Sequence, residues 1–295
     1  MSTSPYRVSC RKDQRAGGFG EARAIGGPDP RGLTVVTVFV HGYNNDQYAP
    51  QDRWDEHVWP AIKRARPAQR HGIILYFWPG DLLRYKRLST LGYPKAVRTA
   101  RQSGEELARY LTQLMPANPG LRVQFVGHSL GCRVVLSAVE HLRKHGPEVV
   151  DVLLLGAAVP EGECADGGPY GSAAASNGIV VLHSRSDSIL RRVFPWGERA
   201  ARRLGFTEPF PPHKAVGLTG KPVDRWAGEP KPRVLEHDKY LEDRPVLARV
   251  AKLFGQSSDH QVSERSVPIQ QEPSTEVSSR FVEERRPAPG SQIGH

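Results

Sequence analysis

Leu121-Arg-Val-Gln-Phe-Val-Gly127-His128-Ser129-Leu130-Gly131-Cys132-Arg133-Val-Val-Leu136 passes from a β-branched apolar run, through small residues, into a helical pattern. A strand that enters a helix through Gly-x-Ser-x-Gly is the setting of a nucleophile elbow. Small residues let the backbone turn sharply and lift the serine Oγ above the sheet edge, where a base can reach it. Ser129 is therefore the candidate nucleophile. The N–H of Leu130, just after it, is a candidate donor to an oxyanion. The competing reading is a glycine-rich turn holding an incidental serine.

Outward from this stretch, short apolar runs alternate with longer amphipathic ones. Leu33–Val40, Gly72–Trp78, Leu121–Gly127, Val149–Leu155 and Gly178–His183 are four to eight residues long and rich in β-branched side chains, as buried parallel strands are. Helical patterns occupy about 51–66, 95–115 and 131–145, the second with Leu107, Leu111 and Leu114 on one face. The alternation predicts an α/β fold, a doubly wound and mostly parallel sheet with helices on both faces. Pro195 and Gly197 predict a broken helix over 186–203, and Gly255 a stop for a last helix over 238–254. The domain is expected to span 32–255, with loop or cap insertions near 79–94, 160–177 and 205–233. Residues 1–31, polar and Gly/Pro-rich, read as a flexible arm with at most a short edge strand at Tyr6–Cys10. Residues 256–295 hold one aromatic residue, Phe281, and no periodicity, and read as a disordered tail.

The 295 residues carry a formal charge of +10. The tail contributes −2, so the basic charge belongs to residues 1–255. No helix-turn-helix, RNP or zinc-finger signature accompanies it, and no nucleic-acid partner is expected. Cys10, Cys132 and Cys164 have neither disulfide-framework nor metal-ligand spacing, and are expected to be free thiols. With no HExxH, Walker or dinucleotide motif, neither metal nor cofactor is expected. The absence of a signal-like or membrane-spanning run makes the cytoplasm the expected compartment.

Val40-His41-Gly42-Tyr43-Asn44-Asn45 closes the first strong strand. An acyl-transfer site needs a second N–H beside the neighbouring strand, and Tyr43 stands there; Gly42 permits close approach, and His41 reads as a structural hydrogen-bonder. With the elbow, with this loop and with Trp78-Pro79, the chain over about 33–254 resembles the α/β-hydrolase superfamily. The likeness is to a bacterial branch marked by the Val-His-Gly-Tyr-Asn-Asn loop and the Gly-His-Ser-Leu-Gly elbow. It lacks the consecutive glycines that follow the oxyanion histidine in lipases, which speaks against a long-chain lipid substrate.

The resemblance implies a triad in the order serine, acid, histidine. Asp187, after the 178–183 strand, is the chosen acid, with Asp166 and Glu163 as rivals; Asp151 lies at the wrong edge of the sheet. Among the later histidines, His260 and His295 fall in the tail and His213 in the cap-like stretch. His237, at the expected end of a last strand over Arg233–Glu236, is the chosen base. The expected function is a serine esterase acting on a small-molecule ester. Its rival is a noncatalytic binding module that docks an acidic partner through a basic face. A further stripe, Ile189, Val193, Trp196, Ala200 and Leu204, with five arginines beside it in 191–203, is expected to pack on the sheet and leave the arginines solvated. The other reading of that stripe is a phosphate- or membrane-binding surface.

Overall fold

A computed structural model describes residues 4–12, 18–43, 48–65, 70–81, 89–176, 178–207, 214–231, 234 and 236–255. They lie in one unit, Met1–His260; Gln261–His295 is a second, outside the described residues. The strands are β1 (Tyr6–Arg11), β2 (Phe19–Gly26), β3 (Val35–Val40), β4 (His71–Phe77), β5 (Arg122–His128), β6 (Glu148–Leu155), β7 (Ile179–His183) and β8 (Ala227–Pro230). They form a single sheet in the order β2-β1-β4-β3-β5-β6-β7-β8. Every neighbouring pair is parallel except β1 with β2.

The central strands are apolar on both faces because each face has its own core. In β3, Val36, Val38 and Val40 point to one core and Phe39 to the other; in β4, Ile74 and Tyr76 part in the same way from Ile73, Leu75 and Phe77. That is the pleat's period of two sorting a continuous apolar run into two layers. α1 (Tyr48–Arg53) continues through a π-helical turn, Trp54–Val58, into α2 (Trp59–Ala65). α3 (Ser89–Gln113) and α4 (Gly131–His145) are the long helices. α5 (Gly171–Ala174), α6 (Phe194–Arg203), α7 (Val216–Thr219) and α8 (Arg244–Gly255) complete the set. Leu107 and Leu111 of α3 and Val134 to Leu136 of α4 fill one core, while Trp54, Ile62, Val246 and Val250 fill the other. The doubly wound arrangement expected from the sequence is the one observed.

Four expectations are corrected. Residues 1–31 are not simply a loose arm: β1 is an interior strand between β2 and β4. Val8 and Cys10 are buried, Ser9 Oγ donates to the Phe77 carbonyl at 3.2 Å, and Arg11 makes a two-pronged pair with Asp81 at 2.6 and 2.8 Å. The polar composition concealed a strand whose charges find partners inside the fold. Residues 205–233 are not only loop or cap, since Ala227–Pro230 pairs with β7 through backbone groups that need no β-forming side chains. This moves the last strand upstream. Val234 and Glu236 are outside any strand, and residues 232, 233 and 235 are outside the described ones. The break expected at Pro195 and Gly197 is instead a π-helical turn, Ile189–Val193, and Pro195 sits in the first turn of α6, where its missing N–H costs nothing.

The fourth correction concerns the apolar stripe. Leu190, Phe194, Glu198 and Ala201 face inward, and Ile189, Val193, Trp196 and Leu204 face solvent. Glu198 can be buried because Arg133 Nη2 and Tyr93 Oη both donate to its Oε1, each at 2.7 Å. The expected tail, 256–295, lies outside the described residues.

Candidate active site

β5 ends at His128, and Ser129 follows at φ 55°, the only non-glycine with positive φ among the described residues. Such strain persists only where the surroundings determine it, and here they do. Ser129 N–H donates to the Leu155 carbonyl, and the Ser129 carbonyl accepts from Cys132 N–H and Ala158 N–H, at 3.0 to 3.1 Å. The elbow glycines are required by contact. A Cβ on Gly127 would lie 2.9 Å from Val135 Cγ2, and one on Gly131 would lie 2.8 Å from the Val40 carbonyl oxygen, with the His41 carbonyl oxygen closer still. The start of α4 thus packs directly on the loop that follows β3.

His237 lies 108 residues on, between the end of β8 and α8, and its imidazole bridges two partners. Nε2 is 2.6 Å from Ser129 Oγ, and Nδ1 is 2.6 Å from Asp187 Oδ2. Asp187 follows β7 and is fully buried; its other oxygen accepts from the Leu190 N–H at 3.0 Å. The alternatives considered for the acid are committed elsewhere or remote. Glu163 pairs with Arg133 and Arg101, Asp166 is exposed, and Asp151 accepts from Gln124 Nε2 at 3.0 Å. His213 and His260 are outside the described residues, as is His295. Ser129, Asp187 and His237, far apart in sequence, are therefore in one hydrogen-bonded line. A serine hydroxyl on an imidazole whose far nitrogen meets a buried carboxylate is an arrangement able to pass a proton from oxygen to nitrogen.

Tyr43 and Leu130 flank this line. A Cβ on Gly42 would come 2.9 Å from Ser129 Cβ, so the peptide before Tyr43 lies against the serine. Leu130 is fully buried at the head of α4. The Tyr43 ring meets Tyr93 edge-on at 5.7 Å, and burial lifts its hydroxyl pKa to about 12. His41 braces this loop: Nδ1–H donates to the Gly42 carbonyl at 2.9 Å, and Nε2 accepts from Trp78 N–H at 3.3 Å. The Trp78 indole stacks on the imidazole, and its Nε1–H donates to the His41 carbonyl at 2.8 Å.

Two features escaped the sequence reading. His128 Nε2–H donates to the backbone carbonyl of His237, and burial, with a smaller effect from the neighbouring His237 ring, holds the His128 pKa down to about 3. Arg133, four residues past Ser129, is wholly buried between Glu163 and Glu198. A charge inside the apolar run Cys132–Leu136 was the available signal for it. Cys10, Cys132 and Cys164 are free and buried. Among the described residues no helix is long and apolar enough to cross a membrane, and no cluster of His, Cys, Asp and Glu has the geometry to hold a metal ion.

A comparison with curated proteins finds no match. Among solved structures, the chain is similar to the NocB thioesterase domain in covalent complex with a fluorophosphonate nocardicin G analog. Identity there is 18% over 76% of this chain and 94% of that one, with a TM-score of 0.38. It is similar also to esterase B from Lactobacillus rhamnosis, at 11% identity over 81% and 82% of the two chains and a TM-score of 0.38. Thermogutta terrifontis esterase 2 phosphoramylated by tabun is another, at 10% identity over 86% and 95% with a TM-score of 0.38. These distant likenesses carry no inference about activity. A family described as "Alpha/beta hydrolase of unknown function (DUF900)" matches residues 31–252, which is most of the chain, and the chain belongs to that α/β-hydrolase family.

Proposed function

We propose that the chain is a serine hydrolase of the carboxylic ester class, working through an acyl-enzyme on Ser129. The observation that carries this reading is the line of two 2.6 Å hydrogen bonds, Ser129 Oγ to His237 Nε2 and His237 Nδ1 to Asp187 Oδ2. A carboxylate only accepts, so Nδ1 carries the proton and Nε2 is left to accept from the serine hydroxyl. Ser129 Oγ attacks the ester carbonyl carbon while its proton passes to His237 Nε2. The imidazolium, stabilised by the Asp187 carboxylate, gives that proton to the departing alcohol, and acyl-Ser129 remains. A water molecule that loses its proton to the same Nε2 attacks the acyl carbonyl. The acid leaves and the proton returns to Ser129 Oγ. The N–H groups of Tyr43 and Leu130 are assigned to the oxyanion of both tetrahedral intermediates.

Labelling with a fluorophosphonate probe tests the reading. The natural chain is expected to label, and Ser129→Ala to fold, to remain unlabelled and to lose hydrolysis of short esters by several orders of magnitude. A natural chain that neither labels nor hydrolyses esters, amides or thioesters would overturn it in favour of a binding role for the fold.

A further inference from the structure

The segment from Arg185 to Leu204 presents an unusual surface. Its two acidic residues, Asp187 and Glu198, are both buried, one on His237 and the other on Arg133. Arg185, Arg191, Arg192, Arg199 and Arg203 are exposed, and none has a carboxylate partner among the described residues. Beside them Trp196 is 71% exposed, Ile189 42% and Val193 41%. The apolar positions 189, 193, 196 and 200 recur at spacings of four, three and four. Arg192, Arg199 and Arg203 each follow one of them by three residues, so the arginines form a row next to the apolar row. Leu190, Phe194, Glu198 and Ala201 hold the opposite side to the body, which fixes the two outer rows outward. Arg199 lies 5.1 Å from the Trp196 ring, a cation–π contact joining the rows.

From these rows we infer that the Ile189–Arg203 segment docks the chain on an anionic lipid bilayer, with Ile189, Val193 and Trp196 entering the headgroup boundary and the arginines pairing with lipid phosphates. A nucleic acid or an acidic protein needs the charge but not a solvent-exposed Trp/Ile/Val row alongside it. An apolar row edged by arginines on a helix about 20 Å long is the chemistry of an interfacial helix. Tryptophan belongs at that depth, its ring apolar and its N–H wet. The helical segment begins two residues after Asp187, so a docked chain holds its candidate active site close to the lipid surface. This concerns where the chain sits and not the length of the acyl group it cleaves. Nor does it depend on the esterase reading, since Ser129→Ala is expected to bind equally.

The test is sedimentation of the full chain with vesicles of phosphatidylcholine, alone or mixed with phosphatidylglycerol. Binding is expected only to the mixed vesicles, and to weaken as salt is raised. Each arginine near such a surface contributes about fivefold in partitioning, so Arg192→Gln/Arg199→Gln/Arg203→Gln is expected to lose on the order of a hundredfold. Ile189→Ser/Trp196→Ser, which leaves the charge intact, is expected to lose about tenfold. Both variants should keep the natural melting temperature and soluble-ester hydrolysis. No binding to mixed vesicles, full binding by either variant, or binding of duplex DNA through the same arginines without vesicle binding would overturn the inference.

Discussion

His128 Nε2–H donates to the backbone carbonyl of His237 at 2.8 Å, so the residue that precedes the candidate nucleophile holds the main chain of the candidate base. β5 thus fixes both partners of the Ser129–His237 contact, one through the elbow and the other through this hydrogen bond. His128 touches no reacting atom in the proposed reaction and acts as a positioning residue. His128→Ala removes the donor and frees the loop that carries His237. Misplacement by about 1 Å can cost a factor of ~100 in kcat. The expected result is therefore a fall of that order in kcat with KM changed little, and partial rescue by His128→Gln, whose amide nitrogen reaches the position of the imidazole Nε2 and can donate. A proportional rise in KM with kcat intact would contradict the assignment.

The same histidine makes the fold acid-sensitive. His128 is held down to about 3 and His71 to about 4 from the ordinary 6.5, in both cases mainly by burial, with Arg122 adding to the effect at His71. Both folded values lie below the unfolded one, so between them the unfolded chain binds more protons and stability rises with pH. The contribution is fully present above about pH 6.5 and is lost as the pH falls toward the folded values. Melting followed by calorimetry should therefore show a lower Tm at about pH 5 than at about pH 7, with a shallower slope in His71→Phe. In that variant the ring can still stack on Phe254, and Thr37 keeps its bond to Gln124. An unchanged slope in His71→Phe would remove His71 from the account.

What was legible in the sequence is the part where side-chain pattern and backbone role coincide. The five central strands announced themselves because both faces are buried, and the Gly127–Gly131 elbow because its glycines are demanded by contact. Asp187, the candidate acid, was expected after the 178–183 strand, and it follows β7 with its carboxylate on His237 Nδ1. Lost were the elements whose stability comes from distant partners. β1 reads as polar until Arg11 finds Asp81, 70 residues away. The inward face of α6 was misjudged because Glu198 belongs to it, and its partner Arg133 is 65 residues off. A charged residue read alone is assigned to solvent, and only the fold reveals the charge that keeps it inside.

That buried cluster has a measurable consequence. Arg133 donates to Glu163 Oε2 at 2.6 Å, to Glu198 Oε1 at 2.7 Å and to the Ala158 carbonyl at 3.2 Å, tying α4 to α6 and to the turn after β6. Removing the arginine leaves two carboxylates buried with one remaining cationic neighbour, Arg101, and should cost about 3–5 kcal/mol. For a domain of this size that is a fall of about 10 °C in Tm. Arg133→Met, which restores much of the volume, should lose nearly as much as Arg133→Ala, because the uncompensated charge dominates. Glu198→Gln, whose carbonyl still accepts from Tyr93 and Arg133, should lose clearly less. A loss in Arg133→Met much smaller than in Arg133→Ala would mean that packing, not charge, sets the cost.

Gly42 gives the sharpest test of how closely the loop after β3 must approach the serine. A Cβ there would stand 2.9 Å from Ser129 Cβ and 3.0 Å from His128 Nδ1, with the His128 carbonyl oxygen at 3.4 Å. All three neighbours belong to the strained end of β5, which its own hydrogen bonds hold fast, so the loop must give way instead. The Tyr43 peptide would then retreat from Ser129. If its N–H serves the oxyanion, Gly42→Ala should lower kcat by about 100- to 1,000-fold, the cost of one such donor. Ester KM should change little. Gly255→Ala, with open space around the position, serves as the neutral control for adding a methyl group. A Gly42→Ala chain that folds and hydrolyses within tenfold of the natural rate would show that the Tyr43 N–H takes no part in stabilising the oxyanion.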